Sequence, residues 1–170
     1  ATPEPTAEGM RYDIPPGPRL SVQGEGEAAQ LGHFLLQVGV NRLYASPLER
    51  AQRTAAVVGQ TLGVAVHTQN AIAEWRREES RQDVVERMTS FWESMAASPA
   101  SEESAGPIAF VSHGGPIRCL LEVLTGDVAR IDDYCRRYPY SNPLPPAGAW
   151  RAERQTNGAW VLDLVFVPGE

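Results

Sequence analysis

Cysteine is scarce in this chain of 170 residues: Cys119 and Cys135 are the only two, and they stand in no metal-ligating spacing. That excludes a thiolate metal site and leaves reduced core or surface thiols as the expectation. Basic residues are too few to balance the acidic ones; the net charge is −6 and the pI near 5.1. A general nucleic-acid or membrane-surface binder needs a basic face, so both classes are excluded, although a locally basic pocket can still hold phosphate. Neither a signal-peptide pattern nor an apolar run near the length of a membrane span occurs, so a soluble, cytoplasmic protein is expected. No Gly-x-Ser-x-Gly is present, which removes the nucleophile elbow of a serine esterase. Gly24-x-Gly26-x-x-Ala29 matches a dinucleotide fingerprint only formally, because no convincing strand precedes it and no acidic residue follows a second strand. No metal and no cofactor are expected. What is plentiful is apolar sequence: 42% hydrophobic residues fit one globular domain over 1–170 with a real core.

Two segments carry the chemistry. Ile108 to Val111 is a short apolar run of the kind buried in a parallel sheet, and from Pro116 the pattern turns helical, with Ser112-His113-Gly114-Gly115 between. The glycines permit a tight turn and close approach to a ligand, Pro116 suits the first helical position, and free N–H groups at a helix start favour an anion. Leu43 to Ala55 repeats the design. Ser46 is expected as N-cap, Pro47 as the first helical residue and Glu49 as the reciprocal partner of a capping box. Arg50 then falls in the first turn, where its guanidinium can grip a phosphate with two parallel hydrogen bonds.

Together these segments resemble the histidine phosphatase superfamily, the phosphoglycerate mutase-like fold. Ser46-Pro-Leu-x-Arg50-Ala-x-x-Thr54-Ala55 is similar to its helix motif, Ser112-His113-Gly114-Gly115-x-Ile117-Arg118 to its second-histidine motif, and Leu20-Ser21-x-x-Gly24 with Leu31-Gly32 to the segment before them. The family's Arg-His-Gly, whose histidine becomes phosphorylated, does not occur among the 170 residues. Ala1-Thr2 is what would follow it, so the sequence is expected to begin immediately after that motif, without the first strand. The resemblance implies a three-layer α/β/α sandwich with a mostly parallel central sheet. It also implies that His113 and Glu74 are catalytic, Glu74 as the proton donor with Glu78 in reserve, and that Arg50, Thr2 and the Gly114 backbone bind the substrate phosphate. Arg11 and Tyr12 are weaker contacts, and His113 is expected to be cationic when phosphate is bound.

The other elements follow from pattern. Ala1 to Arg19, with five prolines, is expected to be extended loop. Helices are expected over Gly24–Val38, from Ser46 to Leu62, over Arg81–Ala97 and from Pro116 to near Gly126, with a turn or two from Asp127. Short strands are expected at 40–45 and 64–68, with loop at 98–106 and coil at 139–148. Ala149–Arg154 and Trp160–Val167 read as two strands joined by Asn157-Gly158 and extending the sheet. His33 is structural or exposed. The expected activity is a phosphatase acting on a small phosphorylated substrate through phosphohistidine; sugar phosphates and a nucleotide-pathway intermediate such as α-ribazole phosphate fit the resemblance. A mutase of this family carries a long insertion between acid and second histidine, which this chain lacks. A non-catalytic phosphate-binding module is the alternative, and a homodimer is left open.

Overall fold

Leu43 and Ala45 are fully buried, while Arg42 and Tyr44 between them are half-buried. The strand Arg42–Ala45 (β1) is central in its sheet, with both edges paired and one face fully buried. Val66–Thr68 (β2) lies parallel along one edge and Ile108–Val111 (β3) along the other, giving the order β2-β1-β3. The computed structural model describes residues 1–97 and 106–169, so nearly all of the loop expected at 98–106 lies outside the described residues.

The period of two along these strands sorts the core into two layers. Leu43, Ala45, Ala109 and Val111 pack against Leu31 and Leu35 of helix Val22–Val38 (α1) and Ala55 and Val58 of helix Glu49–Leu62 (α2). Tyr44 and Phe110 point the other way. They meet Val84, Met88 and Phe91 of helix Arg81–Ala97 (α3) and Cys119 of helix Gly114–Thr125 (α4). The expected three-layer α/β/α sandwich is therefore present. Helix Val128–Cys135 (α5) and the hairpin Ala149–Arg154 (β4) and Trp160–Phe166 (β5) build a third cluster on α4, around Leu121, Ile131 and Leu162.

Several expectations are corrected. The hairpin forms its own two-stranded sheet and does not extend the parallel one. All four residues of β3 are only half-buried, because among the described residues β3 pairs with β1 alone. α1 starts at Val22, ahead of Gly24, because the Ser21 hydroxyl accepts from Gly24 N at 3.0 Å and caps the first turn. The capping box at Ser46 does not form: α2 begins at Glu49 with Leu48 as N-cap. Glu49 N donates to Pro16 O at 2.8 Å and its carboxylate meets Arg19, so neither group is free to close a box. Likewise α4 begins at Gly114, with Pro116 inside the first turn; a proline is tolerated there because N–H groups of the first turn have no intrahelical acceptor.

Candidate active site

Both motif segments end at the same edge of the sheet, beyond the carboxyl ends of β1 and β3, where open parallel sheets bind ligands. Ser46 follows β1 directly, and its backbone N donates to Val111 O at 2.9 Å. The two strand ends are thus stitched together where their functional residues begin. Ser46, Arg50 and His113 are all buried.

His113 is the N-cap residue of α4 but makes no side-chain cap bond; its ring is engaged elsewhere. Nε2 lies 2.7 Å from Ser46 Oγ, and Nδ1 lies 3.5 Å from Glu74 Oε2. Arg50 Nη2 donates to that same Glu74 oxygen at 3.0 Å, and Trp75 N donates to Glu74 Oε1 at 2.9 Å. The Arg50 guanidinium is further held by Nη1 donating to Tyr12 O at 2.9 Å and by the Tyr12 ring, whose centroid is 3.8 Å from Cζ. Gly17, at φ +66, lets the proline-rich loop come this close, since a Cβ there would sit 3.0 Å from Arg50 Nη1. One acid, one base and one guanidinium therefore converge from three separate stretches of chain.

Electrostatics differentiate the groups. Burial pushes the Glu74 carboxyl above its usual range, against the opposing pull of the Trp75 N–H and Arg50, which suits a proton donor. Burial, followed by the charge of Arg50, pushes His113 well below its ordinary value, so the free site holds a neutral imidazole. An anion beside the ring would oppose this shift and raise the value again. The N–H groups of Gly114 and Gly115 in the first turn of α4 add partial positive charge without an intrahelical acceptor.

The remaining sequence candidates are placed as follows. Thr2 donates through its hydroxyl to Glu27 Oε1 and through its N–H to Glu27 Oε2, each at 2.7 Å. Its hydroxyl and N–H are thus both engaged by Glu27 of α1. Glu78 is exposed and paired with Arg11 at 2.8 Å, which leaves Glu74 as the carboxyl beside Arg50 and His113. Arg11 also pairs with Asp13 and makes no such approach to the centre, whereas Tyr12 covers Arg50. His33 and His67 are exposed, on α1 and β2. Among the described residues no group of three or more His, Cys, Asp or Glu side chains gathers as a metal site.

Three supporting residues carried no recognisable sequence signal. Asp13 is buried in the proline-rich loop; it accepts from Arg11 Nε at 2.9 Å and from Arg77 N at 3.0 Å. Asn142 packs against Gly114. Arg87 lies next to the core stripe of α3 and reaches the Glu74 loop. The guanidinium of Arg11 holds the Asp13 carboxyl well below the usual carboxylate range. A depressed native value stabilises the fold above about pH 3.9 and is lost as the pH falls below it. Asp13→Asn is expected to cost about 1.5–3 kcal/mol at neutral pH and to flatten the decline in melting temperature between about pH 5 and 3. Thermal melts of both proteins across that range check it.

The family model described as histidine phosphatase superfamily (branch 1) matches residues 4–77 and 72–135. No curated relative matches the chain. Among solved structures, YhfR of Bacillus stearothermophilus superposes with a TM-score of 0.70 at 16% identity, over 96% of this chain and 93% of that one. The mycobacterial glucosyl-3-phosphoglycerate phosphatase in complex with inorganic phosphate gives 0.65 at 20% identity, over 93% and 91%. The protein histidine phosphatase SixA complexed with tungstate gives 0.60 at 15% identity, over 95% and 90%. At these identities the structural likeness establishes the fold.

Proposed function

We propose that this chain, which belongs to the histidine phosphatase superfamily (branch 1), is a metal-independent phosphomonoesterase working through a phosphohistidine intermediate on a small phosphorylated metabolite. The observation that carries the reading is the buried Arg50 Nη2 at 3.0 Å from Glu74, with His113 on the same carboxylate oxygen. A guanidinium, a carboxyl raised by burial and an imidazole that gains its proton as an anion arrives are what phosphoryl transfer without a metal needs. A histidine nitrogen attacks phosphorus in line, the ester P–O bond breaks, and Glu74 gives its proton to the leaving oxygen. Water then gives a proton back to the Glu74 carboxylate as it attacks phosphorus, and the N–P bond breaks to release phosphate and the free histidine. Arg50, His113 and the Gly114 N–H neutralise the equatorial oxygens throughout.

Of the three histidines, His33 and His67 are exposed outside the site and His113 is held by Ser46 and Glu74, so none of them stands where the attack requires. Ser46, His113 and Glu74 also stand in the order of a hydroxyl, imidazole and acid triad. Ser46, however, has no exposed surface and accepts a further hydrogen bond from Leu48 N at 3.3 Å, so it orients the imidazole and does not attack. The small phosphorylated substrate is supported by the fold shared with a structure holding inorganic phosphate. Two buried free thiols fit the reducing cytoplasm we assign, and a homodimer is compatible with this reading.

The alternative is a phosphate-binding module without turnover: among the described residues His113 is the histidine that shares Glu74 with Arg50. Rapid quench of the natural protein with a 32P-labelled phosphomonoester decides between them. The phosphatase reading expects an acid-labile, base-stable phosphoprotein that turns over; saturable binding without labelling supports the module.

A further inference from the structure

Glu74 sits in a segment without regular structure between the 3₁₀ turn at Asn70–Ile72 and α3. Buried carbonyls outside a helix or sheet ladder need other partners, and from the end of the 3₁₀ turn into this segment the partners are side chains. Four consecutive carbonyls are held this way. Arg87 Nη1 donates to Ala71 O at 2.7 Å and to Ala73 O at 2.9 Å, and Nη2 donates to Glu74 O at 3.1 Å. The Ile72 carbonyl between them takes the Ser112 hydroxyl at 2.8 Å, and Ser112 immediately precedes His113.

Arg87 is itself fixed by Glu79, which accepts from Nε at 2.8 Å and from Nη2 at 3.1 Å. Glu79 also takes Arg76 N at 2.9 Å, and its own carbonyl accepts from the Trp75 indole at 3.0 Å. Arg87 is half-buried, next to the buried stripe of Val84, Met88 and Phe91 on α3. Only a planar guanidinium can span carbonyls and a carboxylate at once; the carbonyls it spans belong to the acid-bearing loop.

We propose that Arg87, together with Ser112, is a positioning residue that locks the Glu74 loop so that the Glu74 carboxyl is presented between Arg50 and His113. The role in turnover rests on the phosphatase reading above; the lock itself does not. Arg87 ties the loop to α3, and Ser112 ties it to the strand end that carries His113, so the separation of acid and imidazole is set by backbone anchors and not by their own 3.5 Å contact. Misplacing a catalytic group by about 1 Å costs on the order of 10²-fold in rate.

The test uses the natural protein and its Arg87→Ala, Arg87→Lys and Ser112→Ala variants, with Arg81→Ala as a control on the same helix, since Arg81 pairs with Glu122. Two readouts are taken: hydrogen exchange of the Trp75 amide, which donates to Glu74, and kcat and KM toward an aryl phosphate. Arg87→Ala is expected to speed Trp75 exchange at least about tenfold and to lower kcat about 10²-fold with KM nearly unchanged. Arg87→Lys recovers part of both, Ser112→Ala shows a smaller loss of the same kind, and Arg81→Ala leaves kcat and Trp75 exchange as in the parent. If Arg87→Ala does not fold, Ser112→Ala decides by the same two readouts. A folded variant with unchanged Trp75 exchange and unchanged kcat overturns the proposal, as does a loss matched by Arg81→Ala. Faster Trp75 exchange in a protein that shows no turnover at all keeps the lock and overturns the phosphatase reading instead.

Discussion

Alanine at position 50 is expected to lower kcat/KM for an aryl phosphate by about 10²- to 10⁴-fold. Two charge-assisted hydrogen bonds to a phosphate contribute about 1.5–3 kcal/mol each, and each 1.36 kcal/mol is tenfold in rate. The Tyr12 ring over the guanidinium contributes less, about 0.5–2 kcal/mol, so loss of the anion contacts dominates. Removing the cation also takes from Glu74 the partner at 3.0 Å that opposes its burial, so its carboxyl moves further above the ordinary range and the alkaline limb of the rate profile moves to higher pH. Arg50→Lys restores charge but not the fork that reaches Tyr12 O, Glu74 and phosphate together, and it should recover little of the loss. Steady-state kinetics of the two variants against pH check both expectations; a kcat/KM within threefold of the parent in Arg50→Ala contradicts them.

Gly114→Ala is expected to be the most damaging of the small substitutions. A Cβ built there would overlap the Asn142 side-chain amide, well inside van der Waals contact of Oδ1. Overpacking of this kind costs about 1–3 kcal/mol, which lowers the melting temperature of a domain this size by roughly 3–10 °C. Relief comes from swinging the Asn142 side chain aside or, where that fails, from moving the first turn of α4, which follows His113, or the 139–142 segment, where Tyr140 and Ser141 already stand at φ +59 and +53. Phosphate affinity should therefore fall along with stability. The neighbour gives the contrast: a Cβ on Gly115 would lie 3.6 Å from Trp75 Cε3 and 3.7 Å from Glu74 Oε1, ordinary contact, so Gly115→Ala should leave the melting temperature nearly unchanged. Asn142→Ala should rescue Gly114→Ala, with a coupling of about 0.5–3 kcal/mol. Purely additive melts of the double variant would show that Asn142 is not the obstacle.

Local pattern was informative wherever one residue type has one strong use. Gly39, Gly63 and Gly126 end α1, α2 and α4 in the left-handed conformation, and the apolar spacing of α3 gives its bounds, Arg81–Ala97. Helix starts were less legible. Ser46 has the chemistry of an N-cap, but the Glu49 N–H it would accept is taken by Pro16 O, and its hydroxyl also bonds His113, a partner 67 positions away in sequence. A tertiary contact of that length leaves no local trace. The same limit applies to Asp13, which accepts from Arg77 N, and to Asn142, which packs on Gly114; Arg87 reaches shorter distances, but to backbone carbonyls, which carry no residue signature. Arg50, Glu74 and His113 could be named in advance because a family resemblance carried them. Thr2 was carried by the same resemblance, and the Glu27 carboxylate on the neighbouring turn of α1 takes its hydroxyl.

The central claim is that Arg50, Glu74 and His113 form one phosphate site, and it is tested most directly by following the His113 imidazole by 15N NMR while inorganic phosphate is titrated into the natural protein. The account predicts a neutral ring in the free protein, saturable 1:1 shifts at His113 on adding phosphate, a rise in its pKa on binding, and loss of the response in Arg50→Ala. A His113 ring that ignores phosphate, or one that responds equally with Arg50 replaced, would contradict it.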